Sequence, residues 1–245
     1  MIPCIYDNSD YFYDGLARVG FVSDPCICRY INKQGKEIVQ GKYDWVEPFR
    51  NGLGAVKRNG KWGCIDIFGK EVISCKYENI KLFSEGLAAV KKDMGWWGYI
   101  DKQGNEVVSC KYGEAMTYNN GVAGVELNGK WGCIDKQGNE VIPFKFEFIL
   151  PMKNGLSKAK LNGKYGCIDK YGKEVIPCKY DTLTPFENGL AGVELDGKWG
   201  YIDETGKFVI SCKYDDAKQF VEGIGSVRLN GGTLSIDQYG NEMRW

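Results

Sequence analysis

The chain has 245 residues, with 32 lysine and arginine residues against 32 aspartate and glutamate residues, so its formal net charge is zero. This balance removes the electrostatic basis for a nucleic-acid or anionic-membrane partner. Histidine is absent, which excludes Ser-His-Asp and Cys-His catalysis and histidine-ligated metal. An apolar share of 43% and 33 glycines predict a folded chain with many tight turns.

The amino terminus carries no targeting signal. Met1 is followed by Ile2, Pro3 and Cys4, without a basic start and without an apolar run of signal-peptide length. No stretch of the chain is apolar over the length that a membrane helix needs. The expected location is therefore the cytoplasm, with no membrane partner.

A repeat of about 34 residues runs through the whole chain. The dipeptide Ile-Asp recurs six times at spacings of 34 or 35 residues. In the same register, a glycine is followed four residues later by valine or, once, by alanine. The repeat copies begin near Gly15, Gly52, Gly86, Gly121, Gly155, Gly189 and Gly223. Seven copies fill the chain, so we predict a single repeat domain over residues 1–245.

One copy is enough to predict the strands. Residues 86–90 form a short β-prone run, which in the sister copies ends at Asn-Gly or Asp-Gly, the dipeptides of a two-residue hairpin turn. A second strand is predicted over 97–101, where Asp101 and Gly104 fit a type I turn. A third run over 106–112 completes a three-stranded meander, to which a short fourth strand can be added.

A meander this short cannot bury both of its faces, so the copies must stack on one another. One position of the first strand is small in every copy, which we interpret as backbones crowding around an axis. These residues are Ala17, Gly54, Ala88, Ala123, Ser157, Ala191 and Gly225. The prediction is an all-β chain in a seven-bladed β-propeller-like ring. Irregular first and last copies leave an open β-solenoid as the alternative.

The copies resemble the bacterial WG-repeat family, whose unit carries a Trp-Gly pair before Ile-Asp. The pairs here are Trp62-Gly63, Trp97-Gly98, Trp131-Gly132 and Trp199-Gly200, with Tyr165-Gly166 as a variant. The first and last copies lack the pair. The resemblance spans nearly all residues and implies a β-repeat architecture with a binding or scaffolding role. It supplies no catalytic residues to transfer.

The ten cysteines are interpreted as buried, reduced packing residues. Most fall at two repeat positions, where sister copies have aromatic residues such as Tyr99, Tyr201 and Phe144. Only Cys26 and Cys28 form a close pair, whereas zinc needs four close ligands. No metal and no cofactor are therefore predicted.

Six of the seven copies also repeat one aspartate, and the first copy has Asn32 in its place. The aspartates are Asp66, Asp101, Asp135, Asp169, Asp203 and Asp237. A turn role explains each of them locally, and we prefer it to a carboxylate ring around a cation. General acid–base catalysis needs carboxylates in different environments, and repetition gives all copies the same one. The chain is therefore predicted not to be an enzyme, with no catalytic residues.

The leading hypothesis is a rigid scaffold that binds a protein or peptide partner. Residues that break the repeat are the best candidates for recognition, because symmetry requires nothing of them, and arginine and aromatic residues are enriched at binding hot spots. The candidates are Arg29, Trp45, Arg50, Arg58, Phe148 and Tyr171. One alternative is a lectin-like carbohydrate or cell-surface binder that uses the tryptophans, although a tryptophan beside glycine more often packs between sheets. A hydrolase in a propeller-like ring is the remaining alternative.

Overall fold

The computed structural model describes residues 6–21, 24–39 and 43–243, with the backbone alone at 21 and 24–28. All regular secondary structure in these residues is β-strand, arranged in seven antiparallel sheets. The strands of each sheet follow one another in chain order, as in a propeller blade. The all-β prediction and the seven repeat units are confirmed. Closure into a ring stays a prediction.

The first twelve strands form three four-stranded sheets. Sheet 1 contains β1 (Asn8–Ser9), β2 (Leu16–Phe21), β3 (Asp24–Asn32) and β4 (Glu37–Val39); sheet 2 contains β5 (Trp45–Val46), β6 (Leu53–Arg58), β7 (Lys61–Asp66) and β8 (Glu71–Tyr77); sheet 3 contains β9 (Asn79–Ile80), β10 (Leu87–Lys91), β11 (Trp97–Asp101) and β12 (Glu106–Tyr112).

Three more four-stranded sheets and one with three described strands follow. Sheet 4 contains β13 (Glu114–Ala115), β14 (Val122–Leu127), β15 (Lys130–Asp135) and β16 (Glu140–Phe146); sheet 5 contains β17 (Phe148–Ile149), β18 (Ser157–Leu161), β19 (Lys164–Ile168) and β20 (Glu174–Tyr180); sheet 6 contains β21 (Thr182–Leu183), β22 (Leu190–Leu195), β23 (Lys198–Asp203) and β24 (Phe208–Tyr214); sheet 7 contains β25 (Asp216–Ala217), β26 (Gly225–Leu229) and β27 (Gly232–Ile236).

The chain forms two compact units. Unit 1 comprises Met1–Asn128 with Cys133–Glu140, and unit 2 comprises Gly129–Gly132 with Val141–Trp245. Sheets 1–3 lie in unit 1 and sheets 5–7 in unit 2. The single domain over 1–245 stays a prediction.

The hairpin between the second and third strands of a sheet turns as its dipeptide predicts. Asn59 and Gly60 both have positive φ, 52° and 76°, which is the type I′ turn that matches strand twist. Sister copies place Asn or Asp followed by Gly in the same conformation. The strand pairing across this turn is therefore fixed locally.

The repeated aspartate is a turn residue, as predicted. The Oδ1 atom of Asp203 accepts the backbone N–H groups of Thr205 and Lys207 at 2.9 and 3.0 Å. The Thr205 hydroxyl donates to the same oxygen at 2.6 Å, and Gly206, with φ 83°, closes the turn. The other five aspartates accept the same two N–H groups, and Asn32 does so in the first copy.

The glycine of each Trp-Gly pair lies against the backbone of the next strand. A Cβ atom at Gly132 would be 2.6 Å from the carbonyl oxygen of Ile142, and one at Gly63 would be 2.4 Å from that of Ile73. The cause is an irregular ladder, since Trp62 pairs with Tyr77 while Cys64 pairs with Ile73. The fourth strand therefore bulges over the glycine, and no larger residue fits.

The hydrophobic core lies between consecutive sheets. In unit 1, Cys64, Ile73 and Tyr77 of sheet 2 pack with Ala88 and Val90 of sheet 3. The stacking of copies that was inferred from their length is therefore confirmed within this unit.

The small residues of the second strand have a local explanation. A Cβ atom at Gly54 would be 2.6 Å from the ring of Phe49, and one at Gly225 would be 2.8 Å from that of Phe220. These positions therefore make room for an aromatic ring of their own sheet, and crowding of backbones is not needed to explain them.

Replacing Gly132 by alanine should lower the free energy of unfolding by about 3 kcal/mol, because the new Cβ clashes with main chain that cannot rotate away. Gly121→Ala is the control. Its φ is 82° but no atom lies within 4 Å of the added Cβ, so only the backbone conformation opposes alanine, at about 1 kcal/mol. Urea unfolding measures both, and equal losses would refute the close approach at Gly132.

Stability should fall in acid through the turn aspartate Asp203. The Thr205 hydroxyl and the backbone N–H groups hold the pKa of Asp203 below its ordinary value. A carboxyl whose pKa is lower in the folded state stabilises the fold above its unfolded pKa, about 4, and loses that contribution as the pH falls. Asp203→Asn keeps the accepting oxygen, as Asn32 shows, and does not titrate.

We therefore expect Asp203→Asn to be slightly less stable than the parent protein at neutral pH, because it lacks the charge, and to lose less stability in acid, so that the two proteins converge there. Urea midpoints at neutral and acid pH measure the difference. A parallel decline in both proteins would contradict the role assigned to this carboxylate.

Candidate functional site

A groove in unit 1, here called groove A, lies between sheets 2 and 3 and has a volume of about 440 Å³. Its apolar wall includes Pro48, Leu53 and Phe83, and Arg50 lies at its edge. The lining residues are Glu47, Pro48, Arg50, Leu53, Ala55, Trp62, Cys64, Asn79, Ile80, Lys81, Leu82, Phe83 and Thr117.

A second groove, groove B, lies between sheets 5 and 6 of unit 2, with a volume of about 650 Å³. Pro151, Leu156 and Phe186 supply its apolar wall, and Lys153 is the counterpart of Arg50. The lining residues are Leu150, Pro151, Lys153, Asn154, Leu156, Lys158, Cys167, Leu183, Thr184, Pro185, Phe186, Glu187, Asn188, Gly189 and Glu204.

The two grooves occupy equivalent places in the repeat. A shift of three copies carries Pro48, Arg50 and Cys64 onto Pro151, Lys153 and Cys167. Both volumes fall in the range of about 300 to 1,000 Å³ that is usual for ligand pockets. Groove A and groove B therefore each have an apolar wall and a cation at the same repeat position.

Lys158 is the half-buried cation of groove B. Its Nζ atom donates to the carbonyl oxygen of Leu183 and lies 4.3 Å from the ring centroid of Tyr165. Burial lowers the pKa of this amine. Among the sister copies only Arg18 is also cationic here, and it reaches the equivalent carbonyl, that of Val46, at 3.3 Å.

Two of the four tryptophan rings in Trp-Gly pairs, Trp62 and Trp97, are partly covered by lysines. Lys57 lies 5.6 Å from the ring centroid of Trp62, and Lys81 and Lys91 lie 4.8 and 5.8 Å from that of Trp97. Trp62 also lines groove A. These rings take part in packing and cation–π contacts, as predicted for a tryptophan beside glycine.

The predicted site residues of unit 1 lie on sheets 1 and 2. Arg29 pairs with Glu37 at 2.8 Å, and Arg58 pairs with Glu71 at 2.9 Å. Trp45 is 41% exposed and donates its Nε1–H to Glu47 at 2.8 Å. It pairs with Lys57, next to Arg58.

Arg50 lines groove A, whereas the other five predicted residues line neither groove A nor groove B. The guanidinium carbon of Arg50 lies 5.7 Å from the ring centroid of Tyr13, an exposed aromatic residue of sheet 1's loop. In unit 2, Phe148 lies on β17 at the equivalent of Trp45, and Tyr171 lies in an aspartate turn and is 68% exposed. Neither Phe148 nor Tyr171 lines groove B, and the role of the six residues in binding stays a prediction.

The cysteines that the structure describes pack as thiols. Cys64, Cys133 and Cys167 are buried, and burial raises the pKa of Cys133 and of Cys167 to about 11. Cys4 and the side chains of Cys26 and Cys28 lie outside the described residues. Within the described part, no group of three or more cysteine, aspartate or glutamate side chains is placed to hold a metal ion, and no helix could cross a membrane.

Sequence reasoning did not find the grooves, although a signal for them is present. Cys64 and Cys167 both take a position that three sister copies give to tyrosine, namely Tyr30, Tyr99 and Tyr201. The sequence alone suggests that cysteine and tyrosine fill this position equally well. The grooves show that the shorter side chain leaves space.

The repeat matches a known family model. The model described as WG containing repeat matches residues 1–20, 29–62, 62–96, 97–131, 131–165, 165–199 and 199–232. No curated protein sequence matches the chain.

Several solved structures are similar at low identity. The computationally designed protein Ika8 is 13% identical, with 96% of this chain and 84% of that chain covered and a TM-score of 0.44. BamB from Moraxella catarrhalis is 12% identical, with 93% and 83% covered and a TM-score of 0.44. Hsv2 from Kluyvelomyces marxianus is 9% identical, with 94% and 91% covered and a TM-score of 0.43.

Proposed function

The chain belongs to the WG containing repeat family, and on this premise we propose that it is a non-enzymatic scaffold that binds a protein or peptide partner. The proposed contact surface comprises groove A and groove B. The observation that carries the proposal is the recurrence of one groove, with the same apolar wall and a cation at the same place, in both units.

The composition of the grooves suits peptide side chains. Pro48, Leu53 and Phe83 offer an apolar wall, and Arg50 adds a charged group that also stacks on Tyr13. Buried apolar contact supplies most of the affinity at protein interfaces, and arginine and aromatic residues are enriched among the residues that contribute most. Lys153 gives groove B the same type of cation.

The strands beneath the grooves form a stiff support. Each groove lies between two sheets whose hairpins and turns are held by backbone hydrogen bonds, such as those of Asp66 and Asp169. A preorganised surface loses little conformational entropy on binding. This favours recognition of a flexible peptide by a rigid protein.

Carbohydrate binding has less support than peptide binding. Stacking on a sugar needs an open aromatic face, and lysines lie over Trp62 and Trp97. The hydrolase alternative also lacks support, because the repeated aspartates have a structural role: they accept backbone hydrogen bonds in turns, as at Asp203. Both alternatives remain without an observation in their favour.

The proposal predicts that a peptide selected from a displayed random library on the full chain binds through the grooves. Replacing Arg50 and Lys153 together by alanine should weaken binding about tenfold, equivalent to about 1.4 kcal/mol, because each groove loses its cation. Fluorescence anisotropy of the labelled peptide measures the dissociation constants.

Lys70→Ala with Lys173→Ala is the matched control. These two exposed lysines are also equivalent positions three copies apart, and they line neither groove. The control removes the same net charge and should leave affinity unchanged. Selection of no peptide, or equal weakening by both double variants, would refute binding at the grooves.

A further inference from the structure

In three copies, a tyrosine fills the space between one sheet and the next. Its ring packs edge-on against an aromatic ring of the following sheet, and its hydroxyl donates to a backbone carbonyl 17 residues further along. The ring pairs are Tyr30 with Phe49 at 4.6 Å, Tyr99 with Tyr118 at 4.7 Å and Tyr201 with Phe220 at 4.7 Å. The accepting carbonyls are those of Glu47, Met116 and Lys218.

Cysteine replaces this tyrosine at Cys64, Cys133 and Cys167, and grooves A and B lie at two of these positions. Cys64 lines groove A together with Lys81 and Phe83, which are the counterparts of Met116 and Tyr118. Cys167 lines groove B together with Thr184 and Phe186. Each groove therefore contains the vacated position, the aromatic ring that the tyrosine would contact and the carbonyl that its hydroxyl would reach.

The vacated hydrogen-bond position is open in both grooves. Among the described residues, no donor contacts the carbonyl oxygen of Lys81 or of Thr184. A partly buried carbonyl gains free energy when a donor reaches it. A ligand with both an aromatic ring and a hydroxyl group satisfies the two features at once.

We propose that groove A and groove B each bind the phenol ring of a partner's tyrosine side chain. In groove B the ring lies edge-on to Phe186, and the hydroxyl donates to the carbonyl oxygen of Thr184. In groove A, Phe83 and Lys81 have these roles. This inference rests on the proposed peptide-binding function and names the side chain that the grooves recognise.

The residues opposite the vacated positions are compatible with a phenol. Ala55 pairs with Cys64 in groove A, just as Ala89 pairs with Tyr99 in sheet 3. Lys158 pairs with Cys167 in groove B, just as Arg18 pairs with Tyr30 in sheet 1. Both kinds of neighbour, a small residue and a long cation, already coexist with a tyrosine within this chain.

The test uses two probes that differ only in the hydroxyl group, N-acetyl-tyrosinamide and N-acetyl-phenylalaninamide. Each is titrated into the isotope-labelled full chain, and backbone amide chemical shifts are followed by NMR. We expect the tyrosine probe to shift the amides of Phe83 and Phe186. The phenylalanine probe should bind roughly fivefold more weakly, because one hydrogen bond is lost.

Cys64→Tyr and Cys167→Tyr are the decisive variants. Each restores the side chain that the sister copies carry, so each should abolish the shifts at its own groove. The groove that is not mutated serves as the internal control in the same sample. Cys64→Ser and Cys167→Ser keep the space open and should bind the tyrosine probe as the parent protein does.

Three outcomes would overturn the inference: the tyrosine probe shifts no groove amides, both probes bind equally well, or the tyrosine variants retain the shifts. The first two are measured on the unmodified chain and do not depend on how the variants fold. Phenol binding at both grooves combined with a failed peptide selection would refute the peptide partner and leave the phenol sites standing.

Discussion

Sheets 2–6 depend on one steric constraint, the passage of the fourth strand over the glycine of the Trp-Gly or Tyr-Gly pair. The carbonyl oxygen of Ile73 lies 2.4 Å from where a Cβ of Gly63 would be, and the other pairs show the same approach. The bulge shifts the strand relative to its neighbour, so that Tyr77 faces Trp62. Tyr77 then packs into the core shared with sheet 3. A backbone contact within one sheet thereby sets the packing between two.

Contacts between consecutive sheets are local in sequence and recur at the same repeat positions. Within unit 1, Tyr99 donates to the carbonyl oxygen of Met116 at 2.6 Å, and the Glu85 carboxylate accepts the N–H of Gly121 at 3.0 Å. Stability of such an array is approximately a sum of repeat terms and nearest-neighbour terms. A change in the contact between two consecutive sheets therefore leaves distant contacts intact. One pair of sheets can enclose a tyrosine side chain while another pair encloses a groove.

Much of the fold could be predicted from the sequence, because its determinants are short. Asn59-Gly60 and Asp203 fix turns through their own backbone preferences and hydrogen bonds. The two-residue strands that open each sheet, such as β5, were harder to predict, because two residues show no alternation. The requirement for Gly63 was hidden as well, since it arises from a strand that lies ten residues away in sequence.

The candidate site could be predicted only in part. Among the residues that break the repeat, Arg50 lines groove A, whereas Trp45 and Arg58 lie elsewhere on sheet 2. The exchange of tyrosine for cysteine was visible in the sequence, but its effect depends on volume. Burial alone does not distinguish Cys64 at 2% exposure from Tyr99 at 0%. The empty volume beside Cys64 is apparent only when Phe83 of the following sheet is in place.

The tyrosine-to-cysteine exchange also has a consequence for how this sequence can evolve. Codons for these two amino acids differ at a single base, so one nucleotide change can replace Tyr99 or Tyr201 by cysteine. The strands on either side keep their own hydrogen-bonded ladders, so the effect of the substitution is confined to the contact between two consecutive sheets. A gene built this way can exchange tyrosine and cysteine at one copy at a time while it continues to encode the same architecture.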